Sequence, residues 1–199
     1  MAGSSDYNTP QHVVDAIKRF APIELDPCSN RTSVVGAVMS CFEDAAVDGM
    51  KLPWVAAGGL VFVNPPYSAM EPWMAKCAAE AALGVEIIAL INNSSDAGWW
   101  HRHVRTAQAR VEWAGRIRFV PADGGQVFSP RYPSVLVYWG PRAARFAEVL
   151  GEFGWPIVHG GGRVAQRGPW YGACGHIWDR ADDADCPTCP VAARLAELE

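Results

Sequence analysis

Leu60-Val61-Phe62-Val63-Asn64-Pro65-Pro66-Tyr67 is the stretch whose reading decides the fold. Its first four residues are apolar without alternation, the pattern of a strand buried on both faces of a parallel sheet. Two consecutive prolines then remove two amide donors and bias Asn64 away from helical geometry, so the strand ends there in a stiff corner. Downstream, residues 71–83 are alanine-rich and helical, Gly84 stops them, and residues 85–91 form another buried strand. Further helices are predicted over 96–107 and 141–150, and strands over 110–113, 116–120 and 134–139.

Upstream, Ile23 to Leu25 reads as a short strand that stops at Asp26-Pro27-Cys28-Ser29-Asn30, with a carboxylate at its C-terminal end. A weaker strand is read in 34–39. Thr9-Pro10 reads as an N-cap followed by proline at the first helical position, and Val13, Val14, Ile17 and Phe20 then recur at helical spacing up to Pro22. Strands alternating with helices imply an α/β sheet with helices on both faces. Ligands of such sheets sit at the carboxyl ends of the strands, where Asp26 and Asn64 both fall. The main domain is therefore read over 1–158. Gly160-Gly161-Gly162 serves as the linker to a small appendage over 163–199.

The chain has 199 residues, half of them hydrophobic, enough for one domain with a core of its own. It has no run of 18 or more apolar residues, and residues 1–6 lack the basic and apolar regions of a secretory signal. The expectation is a soluble intracellular protein with no membrane partner. A net charge of -4 excludes a surface coated in positive charge, so contact with nucleic acid must come from a local patch. One candidate is the segment 101–145. Arg102, Arg105, Arg110, Arg116, Arg118, Arg131, Arg142 and Arg145 face only Glu112 and Asp123 there, a local balance of +6. Arginine suits bidentate phosphate contacts, the alternative being a solvated arginine-rich face.

The corner after residue 63 carries the most specific chemistry. An exocyclic amine on a nucleobase is a poor nucleophile because its lone pair is delocalised into the ring. A site that methylates it must accept its two hydrogens and favour a tetrahedral nitrogen. The Asn64 side-chain oxygen and the Pro65 carbonyl are suitable acceptors, held by the rigid Pro65-Pro66 turn. Tyr67 is placed to stack on a base rotated out of the duplex. The alternative is an ordinary proline turn with a surface tyrosine.

Taken with their order, these blocks resemble the amino-methyltransferases that carry an Asn-Pro-Pro-Tyr motif, and most closely the phage-type DNA N-6-adenine methyltransferases. The resemblance covers 7–140. It rests on Tyr7-Asn8-Thr9-Pro10, Leu25-Asp26-Pro27-Cys28, Asp48-Gly49-Met50 followed by Trp54, residues 60–68, and Gly115-Arg116-Ile117-Arg118-Phe119. It implies a Rossmann-like sheet that binds S-adenosylmethionine, with DNA as partner and a setting in the cytoplasm of a bacterial or phage-infected host cell. It also implies catalytic roles for Asn64, Pro65, Pro66 and Tyr67. Tyr7, Thr9 and Pro10 resemble the block that touches the methionine part of the cofactor, and Asp26 the acidic residue that meets its amino group, with Cys28 nearby. Asp48 is similar to an acidic position near the adenosine, an Asp-Gly turn being the alternative. Arg116, Arg118 and Arg131 are the candidate DNA contacts. The Gly-x-Gly turn usual after the first strand of methyltransferases is missing.

In-line transfer of a methyl group needs no nucleophilic cysteine, so Cys28, Cys41 and Cys77 read as packed thiols. Trp99 and Trp100 either line a nucleic-acid channel or pack a helix onto the sheet. In the tail, Cys174, His176, Cys186 and Cys189 fall within 16 residues. They match a structural Cys3His zinc site, with His159 or Asp185 as substitutes for His176, the alternatives being a redox dithiol and unliganded thiols. The rival functions are methylation of RNA or of a protein glutamine, and a catalytically silent zinc-containing DNA-binding protein. Nothing in the sequence speaks to oligomeric state.

Overall fold

The computed structural model describes residues 7–42, 48–122, 125–127, 130–159, 170–171 and 177–178. In chain order its elements are β1 (Tyr7–Asn8), α1 (Gln11–Phe20), β2 (Ile23–Ser29), β3 (Met39–Phe42), β4 (Leu60–Val63), α2 (Met70–Ala82), β5 (Ile87–Asn92), α3 (Gly98–His103), β6 (Ala109–Trp113), β7 (Val120–Pro121), β8 (Ser134–Trp139), α4 (Ala143–Leu150) and β9 (Gly154–Val158). Beyond them, β10 (Trp170–Tyr171) pairs antiparallel with β11 (Ile177–Trp178). Cys174, His176, Cys186 and Cys189 lie outside the described residues, as does most of the 163–199 appendage.

One seven-stranded sheet has the order β3-β2-β4-β5-β8-β6-β9. Its first four strands are parallel, whereas β8, β6 and β9 join by antiparallel pairing. The sheet is thus mixed, not parallel throughout. Alternation along the strands builds two cores, because successive side chains point to opposite faces. Leu60 and Phe62 of β4, Ile88 and Leu90 of β5, and Leu136 and Tyr138 of β8 meet Val13, Ile17 and Phe20 of α1 and Phe146 and Leu150 of α4. Val61 and Val63, Ile87, Ala89 and Ile91, and Val135 and Val137 meet Trp73, Met74 and Cys77 of α2 and Trp100 of α3. Helices therefore cover both faces, as the alternation of elements predicts. Each large side chain buried this way contributes about 1.5–3 kcal/mol.

Local chemistry sets the element ends. Pro22 follows the last turn of α1, whose Ala21 cap is extended. Gly84, at φ +92, takes the left-handed turn that ends α2. Four elements differ from the sequence reading by more than one or two residues at an end. β2 does not stop at Leu25 but runs through Pro27 to Ser29. It can do so because β4 pairs only with Ile23 and Leu25, and the ladder to β3 shifts register between Asp26 and Ser29, the kind of irregularity that accommodates a proline. The weak strand read at 34–39 is displaced to Met39–Phe42, since β3 needs β2 as its partner. Of the strand read at 116–120, Val120 pairs in a ladder together with Pro121, and Phe119 makes a single bridge. The long helix read at 96–107 is split into α3 and a 3-10 turn, Val104–Thr106.

Candidate active site

The carboxyl ends of β2 and β4 open onto one cavity of about 320 Å³, within the range of small-molecule sites. Asp26, Cys28 and Ser29 line it from β2, Asn64 to Tyr67 from the corner after β4, and Tyr7, Asn8 and Thr9 from the N-terminal segment. Phe119 closes another side. The N-terminal segment reaches the cavity because β1 pairs antiparallel with β7, Tyr7 opposite Pro121 and Asn8 opposite Val120. The carboxylate and the amide that the sequence sets apart by 38 positions thus share one space.

Asp26 is the only charged side chain among the described residues that line this cavity. It is 3% exposed, and burial pushes its carboxyl up to about 7, against hydrogen bonds from Ser29 and from the Cys28 amide. The Cys28 amide donates to Asp26 Oδ1 at 3.3 Å. A buried carboxylate with no cation lining its cavity favours a positively charged ligand. Burial and the neighbouring Asp26 also push the Cys28 thiol up, so it stays protonated and unreactive. Cys41 and Cys77 are buried free thiols, as expected of packed residues.

The corner is fixed from both sides. Pro66 is at φ -56 and ψ 128, and its carbonyl accepts from the Ala69 amide at 2.9 Å, closing a 3-10 turn. Asn64 Nδ2 donates to Thr9 Oγ1 at 3.0 Å. Thr9 is therefore not the side-chain N-cap of α1 that its place before Pro10 predicts. Pro10 takes the cap position, and its carbonyl accepts from the Val13 and Val14 amides. The Tyr67 ring meets Phe119 edge to face, centroids 6.3 Å apart at 87°. Burial pushes the Tyr67 phenol up to about 12, so it stays neutral.

The loop after β2 is held in turn. Asn8 Nδ2 donates to the Thr32 carbonyl at 3.1 Å and to Thr32 Oγ1 at 3.0 Å, and Asn30 Oδ1 accepts from the Thr32 amide at 2.9 Å. Behind β2, a Cβ added to Gly49 would lie 1.8 Å from the Pro27 carbonyl oxygen, so only glycine fits there. Trp54 anchors Gly49 by donating from Nε1 to its carbonyl at 2.9 Å, and stacks on Trp73 of α2.

Two residues expected at the cofactor fall outside the cavity lining. Pro10 is taken up by the start of α1. Asp48 is exposed in the Asp-Gly turn, accepting from the Met50 amide at 2.9 Å and pairing with Lys51 at 3.1 Å. Hydrogen bonds from Lys51 and the Met50 amide hold its carboxyl below the usual range. Asn8, Ser29, Asn30, Ser33, Val35 and Phe119 line the cavity without having been assigned a role there. The apolar–polar alternation from Arg116 to Val120 signals Phe119: Ile117 and Phe119 are buried, whereas Arg116 and Arg118 are exposed.

Folding lowers the arginine balance of the segment from +6 to +4. Arg102 pairs with Glu71 at 2.5 Å and Arg142 with Glu86 at 2.5 Å, carboxylates that a sequence window cannot see. Arg110 lies 3.7 Å from Glu112 and 3.0 Å from the His159 ring. Arg116 donates to the Arg131 carbonyl at 3.0 Å, tying together two exposed arginine segments. Trp100 is buried in the core beneath α3, with Trp99 beside it at 5.8 Å. A family model described as DNA N-6-adenine-methyltransferase (Dam) matches residues 3–149. No curated protein matches the chain.

Proposed function

The chain belongs to the DNA N-6-adenine-methyltransferase (Dam) family, and from that premise we propose that it transfers a methyl group from S-adenosylmethionine to the N6 amine of an adenine turned out of DNA. The observation that carries this reading is the shared cavity, which joins a buried, cation-seeking Asp26 to the Asn64 corner. When bound, S-adenosylmethionine supplies an electrophilic methyl on a sulfonium. Asp26, with Tyr7 and Cys28 around it, would hold the ammonium end of that molecule, and the arriving cation would favour the ionised carboxylate. Asn64 Oδ1 and the Pro65 carbonyl accept the two amine hydrogens, drawing the nitrogen toward tetrahedral geometry. Pro66 does not compete, its carbonyl being spent on Ala69. Tyr67, braced by Phe119, offers a ring face to the base. Arg116, Arg118 and Arg131 are exposed and suit phosphate contacts.

Labelled S-adenosylmethionine supplied with DNA, RNA or cell extract tests the reading. Label is expected as N6-methyladenine in DNA, and label confined to RNA or protein would sink it. In the tail, Cys174, His176, Cys186 and Cys189 are proposed to hold one structural zinc, four protein ligands leaving no open position for catalysis. Elemental analysis of chelator-free protein is expected to find about one zinc per chain; finding none would remove that site.

A further inference from the structure

We propose that Thr9 is a positioning residue for catalysis: its hydroxyl orients the Asn64 carboxamide, so that the oxygen and not the nitrogen faces the target amine. This rests on the adenine-amine reading of the site. The cofactor role suggested for Thr9 requires its side chain to face a ligand, and its place before Pro10 suggests a helix cap. The structure gives the hydroxyl another partner, Asn64 Nδ2 at 3.0 Å, across 55 positions of sequence.

A carboxamide is nearly symmetric in shape, and its two ends have opposite hydrogen-bonding character. Turned one way it accepts from an amine; turned the other it presents two hydrogens to an amine's own hydrogens and repels it. The prolines fix the Asn64 backbone but not this last torsion, which is broad and roughly two-fold. A hydroxyl can pair with either end of an amide, and here Thr9 Oγ1 accepts from the nitrogen end. Thr9 is 3% exposed, so its hydroxyl is not shared with bulk water. Its own position is set on both sides: Asn8 is clamped to Thr32, and the Pro10 carbonyl begins α1. The N-terminal segment therefore delivers a fixed hydroxyl to the amide nitrogen, leaving the carbonyl oxygen as the end available to substrate.

The test compares Thr9→Val, which keeps shape and loses the hydroxyl, with Thr9→Ser, which keeps the hydroxyl. At saturating S-adenosylmethionine and DNA, Thr9→Val is expected to lose about 10- to 100-fold in methyl-transfer rate. Its cofactor Kd should stay within about threefold, and Thr9→Ser should recover most of the rate. A cofactor Kd that worsens as much as the rate would make Thr9 a cofactor ligand and overturn the proposal, as would a Thr9→Val rate equal to the wild type. The side-chain amide signals of Asn64 in 15N-labelled protein, assigned by their absence in Asn64→Ala, give a readout that needs no turnover. They should shift and broaden in Thr9→Val and return in Thr9→Ser. Unchanged signals would refute the contact even if the wild type methylated some other amine, whereas a wild type inactive on DNA with shifted signals would strike the DNA reading alone.

Discussion

The ends of β2 and β4 stand on neighbouring parallel strands, both carry proline, and both face the same cavity, yet they work by opposite physics. At β2 the proline lies inside the strand, at a register shift, and the functional side chain is a carboxylate stripped of water. At β4 two prolines terminate the strand, and the functional side chain is a neutral amide held from across the cavity by Thr9. In the proposed function the first end recognises charge and can do so without fine orientation, because Coulomb attraction falls slowly with distance. The second depends on direction, because a hydrogen bond weakens steeply with angle. One end should therefore govern how tightly the cofactor is held, and the other how fast the methyl moves.

Asn64→Ala is the strongest way to break that division. Removing the oriented acceptor should lower the transfer rate at saturating cofactor by about 10²–10³-fold, with cofactor Kd nearly unchanged. Single-turnover kinetics beside a binding titration measures both. A variant that transfers at the wild-type rate, or that loses rate only through weaker cofactor binding, would merge the two ends into one function.

The same contrast governs how much of the molecule is legible in its residues. The β4 end is legible because two prolines after four apolar residues leave the backbone little choice, and the buried strand and both helix-covered faces follow from that pattern. That Asp26 faces a strand-end cavity is legible, but not its place inside a strand, since whether Pro27 can stay in a ladder depends on where β4 stops pairing. Thr9 reads as a cap because its true partner is far away in sequence. The arginine count overshoots by two for the same reason: Glu71 and Glu86 come from α2 and the turn before β5. Asn8 enters the site through the β1–β7 pair, two residues on each side, too short for any periodicity to reveal, whereas the alternation before β7 does signal Phe119.

Asp26→Asn makes the smaller change and tests the charged end. Without the carboxylate, cofactor Kd should rise about 10- to 100-fold, while the rate at saturation stays within a few-fold. The same substitution should stabilise the free protein. A carboxyl raised from 3.8 to about 7 by folding makes the folded state bind more protons than the unfolded chain between those values, so wild-type stability falls as pH rises from about 4 to 7 and is flat above. An asparagine in its place carries no such penalty and keeps a side-chain oxygen for the Cys28 amide. At pH 8 and without ligand the variant should therefore be more stable by on the order of 3 kcal/mol, the gap closing toward pH 4. Urea unfolding at the two pH values measures it. Equal stability at pH 8 would mean that the carboxylate is solvated in the free protein, and that charge recognition at β2 does not come from burial.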